Sequence, residues 1–125
     1  MEEKKLRVYF DSYALSRPYD EYLNDEIVQE AEMVENIFRL VDLGSLILVD
    51  SEVLDMETQA IEDEEKRARV NAIRSKAKYY VTLSPEVKQR ALRFVELGIK
   101  PMDALQLVSA EKGADVFITV DKRLC

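Results

Sequence analysis

The sequence predicts an α/β fold in one domain, residues 1–125, with helices flanking a mainly parallel sheet. Three observations carry this. Short aliphatic and β-branched runs, "LRVYF" at 6–10, "SLILVD" at 45–50, "YYVTLS" at 79–84 and "DVFITVD" at 115–121, read as strands. Longer segments of helical period separate them. The helices are bounded by start and stop residues, Ser or Pro before and Gly after. Strands alternating with helices or helix pairs favour a parallel sheet covered on both faces.

Taken in order, Leu6 to Phe10 form a buried first strand that stops at Asp11. The segment from Asp25 carries apolar residues at Ile27, Ala31, Val34, Phe38 and Val41, a helical stripe that Gly44 is placed to end. The stripe suits core packing, and it is apolar enough to suit a dimer surface. After the second strand, Ser51 is an N-cap for a helix with Val53, Leu54 and Ile61 inward. "EDEEKRARVNAIRSKAKYY" continues helically with charges of both signs, a solvated face that offers Lys66, Arg67 and Arg69. Ser84 and Pro85 then open a helix that Gly98 closes, and Pro101 and Gly113 repeat the device. No repeat, linker or low-complexity tract interrupts the chain.

Composition narrows the chemistry. The chain has no histidine, which removes Ser-His-Asp triads, Cys-His pairs and histidine-bound zinc. Its one cysteine is Cys125, so no internal disulfide forms, in keeping with a reducing, cytoplasmic setting. No apolar run reaches the roughly 20 residues that span a bilayer, and "MEEKKL" opens no secretory signal. A net charge of −7 argues against a broad basic surface for nucleic acid. An enzyme acting on phosphodiesters through a cation bound by clustered acids is compatible with it.

Ligands of open parallel sheets sit beyond the carboxyl ends of the strands. Asp11 ends the first strand and Asp121 the fourth; Asp50 ends the second, so the pattern is not unique. Asp103, in the first turn after Pro101, could return to the same mouth or simply serve the helix N-terminus. Glu57 lies inside the helix after the second strand, with Glu52 and Asp55 as competitors, or it is an ordinary solvated glutamate. Should these acids meet, Mg²⁺ or Mn²⁺ is the expected guest, because hard cations take oxygen ligands and clustered carboxylates repel one another without one.

Three stretches resemble the PIN domain family, which includes the VapC-type toxin ribonucleases, and together they cover nearly the whole chain. "VYFDSYALSRPYD" resembles the family's opening strand, acid and hydroxyl, and "LVDSEVLDMET" the segment carrying a helical glutamate at Glu57. "GIKPMDALQLVSAEKGADVFITVDKRL" resembles the Asp-Ala-Leu helix and the strand ending in Thr-x-Asp, with Asp103 and Asp121 as its acids. The resemblance implies a three-layer α/β/α fold and a four-carboxylate site of Asp11, Glu57, Asp103 and Asp121. Mg²⁺ or Mn²⁺ held there would cleave RNA, with Ser12 at the family's hydroxyl position. It also implies homodimers and, for a toxin, an antitoxin that blocks the site. Relatives continue past the position of Cys125 through another helix and an edge strand, which on this resemblance are missing here.

Some positions differ from the family. Tyr13 stands where Asn, Cys or Ser is usual; its ring could stack on a base, narrow the site or pack against the first helix. Gln106 takes a place where a subgroup carries His. Arg17 could bind a phosphate bidentately or pair with Asp20. Two other functions stay open: a PIN-fold interaction module without cleavage, and a phospho-acceptor receiver domain. The receiver needs paired acids at the first strand's end, whereas "EEKKLRVYFD" has them on the wrong side.

Overall fold

The four apolar runs become one parallel sheet in the computed structural model, which describes residues 4–121. Cys125 lies outside them. The strands are β1 (Arg7–Phe10), β2 (Ile47–Ser51), β3 (Tyr79–Val81) and β4 (Val116–Ile118), in the order β3-β2-β1-β4. Between β1 and β2 come α1 (Ser12–Ser16), a 3-10 turn at Arg17–Tyr19 and the long α2 (Asp25–Asp42). Helices α3 (Glu52–Gln59) and α4 (Glu64–Arg74) lead to β3, and α5 (Pro85–Glu96) and α6 (Pro101–Gly113) lead to β4. The α/β class and the parallel sheet are as the sequence predicts.

Alternation along the strands sorts the two faces. Phe10 points to the α2 side, its ring 5.2 Å from Phe38. Tyr9 points to the α6 side, in register with Val49 and Phe117. On α5, Val87 and Ala91 pack on Ala104 and Val108 of α6 as a second small cluster, with Val81 of β3 at its edge. Among the described residues no helix is long and apolar enough to cross a membrane.

The caps are largely those the sequence announces. Ser51 Oγ accepts the Leu54 N–H at 3.0 Å, and Ser84 Oγ accepts that of Val87 at 3.2 Å. Gly44 and Gly98 take positive φ, 76° and 99°, as helix-ending glycines do. Two expectations need correction. Residues 62–80 do not continue the helix capped by Ser51: the chain leaves α3 at Ala60, restarts at Asp63, whose carboxylate accepts the Lys66 N–H at 3.1 Å, and ends α4 at Arg74. Gly113 is not a left-handed cap either, since it ends α6 without positive φ. A Cβ there would lie 2.9 Å from Val81 Cγ2 and 3.1 Å from Val49 Cγ1, so glycine is needed for α6 to lie close on β2 and β3.

Gly113→Val should therefore lower stability by about 2–3 kcal/mol through overpacking against two stiff valines. Gly98→Ala has no neighbour within 4 Å and should cost about 1 kcal/mol from backbone strain alone. Urea denaturation of both variants checks the ranking.

Candidate active site

Connections from β1 run towards β2, whereas β4 is added on β1's other side, so the strand order reverses between β1 and β4. The crevice beyond such a reversal is where open α/β sheets bind ligands. Asp11 lies at that reversal, just past β1. The residue is 2% exposed, and its N–H donates to the Ile118 carbonyl at 3.1 Å. One carboxylate oxygen caps α1 by accepting the Ala14 N–H at 2.9 Å, and the other accepts the Thr119 hydroxyl. Burial pushes the Asp11 carboxyl up from the usual range. The bonds from Thr119 and Ala14 pull it back, and the fields of Asp121 and Glu57 push it further up. Asp11 thus feels both acids as neighbours.

Glu57 reaches this region from α3, where its competitors are already engaged. Glu52 accepts the Leu83 N–H at 2.8 Å, and Asp55 pairs with Arg74 at 3.1 Å. Asp50, the third strand-end acid, accepts from Arg74 Nε at 2.9 Å. Although burial opposes it, the hydrogen bonds and charges of the two aspartates push the Arg74 guanidinium up. Glu57 instead accepts from the side-chain amide of Gln106, whose carbonyl accepts the Tyr9 hydroxyl. Sequence reasoning noted Gln106 only as a substitution and took Tyr9 for a plain core residue. Their meeting joins residues 97 positions apart and leaves no local signal.

Asp103, partly buried, sits three residues before Gln106 and so shares its face of α6. Asp121 follows β4, and its N–H donates to Thr119 Oγ1 at 3.0 Å. Two clefts lie beside α1, and neither Asp11 nor Asp103 lines them. One, about 430 Å³, ends at Asp121 and is bordered by α2 residues; the other, about 500 Å³, holds Ser12, Glu57 and Lys66. Tyr13 and Arg17 line both. Tyr13 is 53% exposed, so its ring is a wall of the clefts rather than core packing. Arg17 pairs with Asp20 at 3.0 Å and with Glu30 at 3.4 Å. The other cations near the mouth are also engaged: Lys66 by Asp20, Arg67 by the Ile61 carbonyl and Arg69 by Glu65.

The donors at the mouth are carboxylate and hydroxyl oxygens, a set suited to Mg²⁺ or Mn²⁺ and unsuited to softer metals. Among the described residues no group of three or more His, Cys, Asp or Glu is arranged to hold a metal ion. Mg²⁺ does not require one, because it keeps several waters and uses one or two carboxylates together with substrate phosphate. On that chemistry the residues fit. Comparison with protein-family models, with curated proteins and with solved structures gives no match for this chain.

The raised Asp11 carboxyl sets a pH dependence. The folded protein binds this proton more tightly than the unfolded chain, so Asp11 lowers stability as pH climbs from the ordinary carboxylate range through its raised folded value. Asp11→Asn retains an N-cap oxygen and removes the buried charge. In chelator-treated protein its melting temperature should gain on the parent's as pH climbs from about 4 towards 7, because only the parent carries the buried charge. Thermal denaturation across pH checks this.

Proposed function

We propose that the crevice is the active site of a Mg²⁺- or Mn²⁺-dependent endoribonuclease, with Asp11, Glu57, Asp103 and Asp121 as its carboxylates. The observation that carries this is Asp11, a buried acid at the strand-order reversal whose carboxyl is driven up by burial and then by Asp121 and Glu57. Like charges gathered at a ligand-binding crevice are stabilised by a cation. The PIN resemblance supports the same acids and supplies the finer points: an RNA substrate, a homodimer, and the setting of a type II toxin whose antitoxin covers the site.

A bound cation would neutralise phosphate charge and lower the pKa of a water, which is the chemistry phosphodiester hydrolysis needs. The chain's own residues arrange the rest. Asp11 is held by α1 and Thr119. Glu57 is aimed by Gln106. Asp103 lies in the first turn of α6, and Asp121 follows β4. Tyr13 offers an exposed ring on which an unpaired base can stack, an attraction that tolerates any sequence. Ser12, which lines the Glu57 cleft, can hydrogen-bond a phosphate oxygen. Arg17, already shared by Asp20 and Glu30, orders the wall between the clefts and can reach a phosphate only by giving up one of them.

A second reading is favoured by a different observation. Asp11 and Glu57 each have partners within the chain, as structural carboxylates of an interaction module without cleavage would. Calorimetric titration separates the two. Mn²⁺ should bind the parent saturably and lose that binding in Asp11→Asn/Asp103→Asn; equal weak binding in both proteins favours the module. With Mn²⁺ present, the parent should cut labelled single-stranded RNA, and Glu57→Gln or Asp121→Asn should lower the rate at least ~100-fold, about 2.7 kcal/mol of barrier. Tyr13→Ala should raise KM several-fold with a smaller change in kcat. An inert parent, or acid variants that keep full rate, would overturn the nuclease assignment.

A further inference from the structure

A line of side chains leaves the start of α3 and returns to its last turns by way of two other elements. Ser51 Oγ, accepting the Leu54 N–H, lies 2.7 Å from the Tyr9 hydroxyl on β1. Tyr9 meets the carbonyl oxygen of Gln106 on α6, and the Gln106 amide nitrogen meets Glu57 on α3. Tyr9, Ser51 and Gln106 are all buried, at 0%, 0% and 2% exposure, so a mismatched donor or acceptor would go without water.

Counting protons sets the direction. An ionised carboxylate only accepts, so Gln106 must present its NH₂ group to Glu57 and its oxygen to Tyr9. The phenol has a single proton, which goes to that oxygen. Ser51 must then give its own proton to the phenol oxygen while its lone pair takes the Leu54 N–H. Turning the Gln106 amide over would set its oxygen against the carboxylate and its NH₂ against the phenol. The phenol could then donate only to Ser51 Oγ, and the Ser51 proton would lose its acceptor.

We propose that Tyr9 and Gln106 are positioning residues, and that this one-way relay holds Glu57 in the cleft in register with Asp11 and Asp103. The placement follows from the elements joined. Tyr9 lies on β1, two residues before Asp11, and Gln106 one turn after Asp103 on the same helix. Glu57 is therefore referred to the two elements that carry the other acids. This inference rests on the reading of the crevice as a cation site. Outer partners of metal-binding carboxylates typically govern metal affinity by 10–100-fold.

The test uses the full chain with Tyr9→Phe, Gln106→Met and Glu57→Gln, and Mn²⁺ as the probe. Without metal, the Gln106 side-chain amide resonance should move in both Tyr9→Phe and Glu57→Gln, since each removes a partner of that amide. With Mn²⁺, Tyr9→Phe should weaken binding about tenfold. Gln106→Met should weaken it at least as much, and Tyr9→Phe should add nothing on top of Glu57→Gln. Lowered melting temperatures with unchanged Mn²⁺ affinity would make the relay merely structural and overturn the proposal. Should the parent bind no more Mn²⁺ than Asp11→Asn/Asp103→Asn, the cation reading fails by itself. The metal-free resonance then decides the positioning of Glu57: movement in both variants upholds it, and an unmoved resonance in Tyr9→Phe overturns it. Tyr9→Phe keeps the ring and the core, so the outcome does not hang on whether Gln106→Met folds.

Discussion

The reversal of strand order between β1 and β4 has to be closed by something, because the connections on either side depart to opposite faces of the sheet. Here it is closed through Asp11 and Thr119. The Asp11 N–H reaches Ile118, the Thr119 hydroxyl reaches the Asp11 carboxylate, and the Asp121 N–H returns to Thr119. Hydrogen bonds to a charged group each contribute roughly 1.5–3 kcal/mol, which is what makes a nearly inaccessible carboxylate tolerable there. The same tie brings Asp121 close enough for its charge to oppose that of Asp11. Structure and electrostatic tension therefore come from one set of bonds. Removing the acid would relax the tension and loosen the closure of the sheet at once.

Elsewhere the chain disposes of its acids. Asp50 and Asp55 share Arg74, Asp20 lies between Arg17 and Lys66, Asp42 pairs with Lys76, and Glu52 takes a backbone N–H. These pairings differ in weight. The Asp50–Arg74 pair is nearly buried, and losing either partner would strand a charge in the interior. Arg69–Glu65 and Lys76–Asp42 are exposed and contribute little. Asp11 and Glu57 are tied instead by neutral donors, an N–H, a hydroxyl and an amide, which satisfy hydrogen bonds without cancelling charge.

The parts of this arrangement legible in the sequence are those encoded locally. Strand runs, the Ser51 and Ser84 caps, Pro85 and Pro101 at helix starts and Gly44 and Gly98 at helix ends each depend on a few adjacent residues. The break between α3 and α4 was hidden because "TQAIEDEEK" contains neither Gly nor Pro, and Asp63 as a cap looks like one more acid in a charged run. Gly113 was visible as a glycine but not for its reason, which is a contact with valines on two distant strands. For the site, strand-end position singled out Asp11, Asp50 and Asp121 alike. Only the tertiary placement of Arg74 separates Asp50 from the others. The choice of Glu57 over Glu52 and Asp55 likewise depends on Leu83 and Arg74, both far along the chain.

Geometry also constrains what could occupy the crevice on the proposed reading. Two clefts of about 430 and 500 Å³ each fall within the size that ordinary small-molecule groups fill. One ends at Asp121 and the other holds Glu57, with Tyr13 and Arg17 as a shared wall. A compact ligand confined to either cleft would meet only one of these acids. An extended polymer crossing the wall would meet both and could lay a base against Tyr13. A polyanion cannot make that crossing against three carboxylates unless positive charge accompanies it, and the nearest cations are already engaged by acids. On the proposed reading, one ion would answer both the carboxylates and the phosphate.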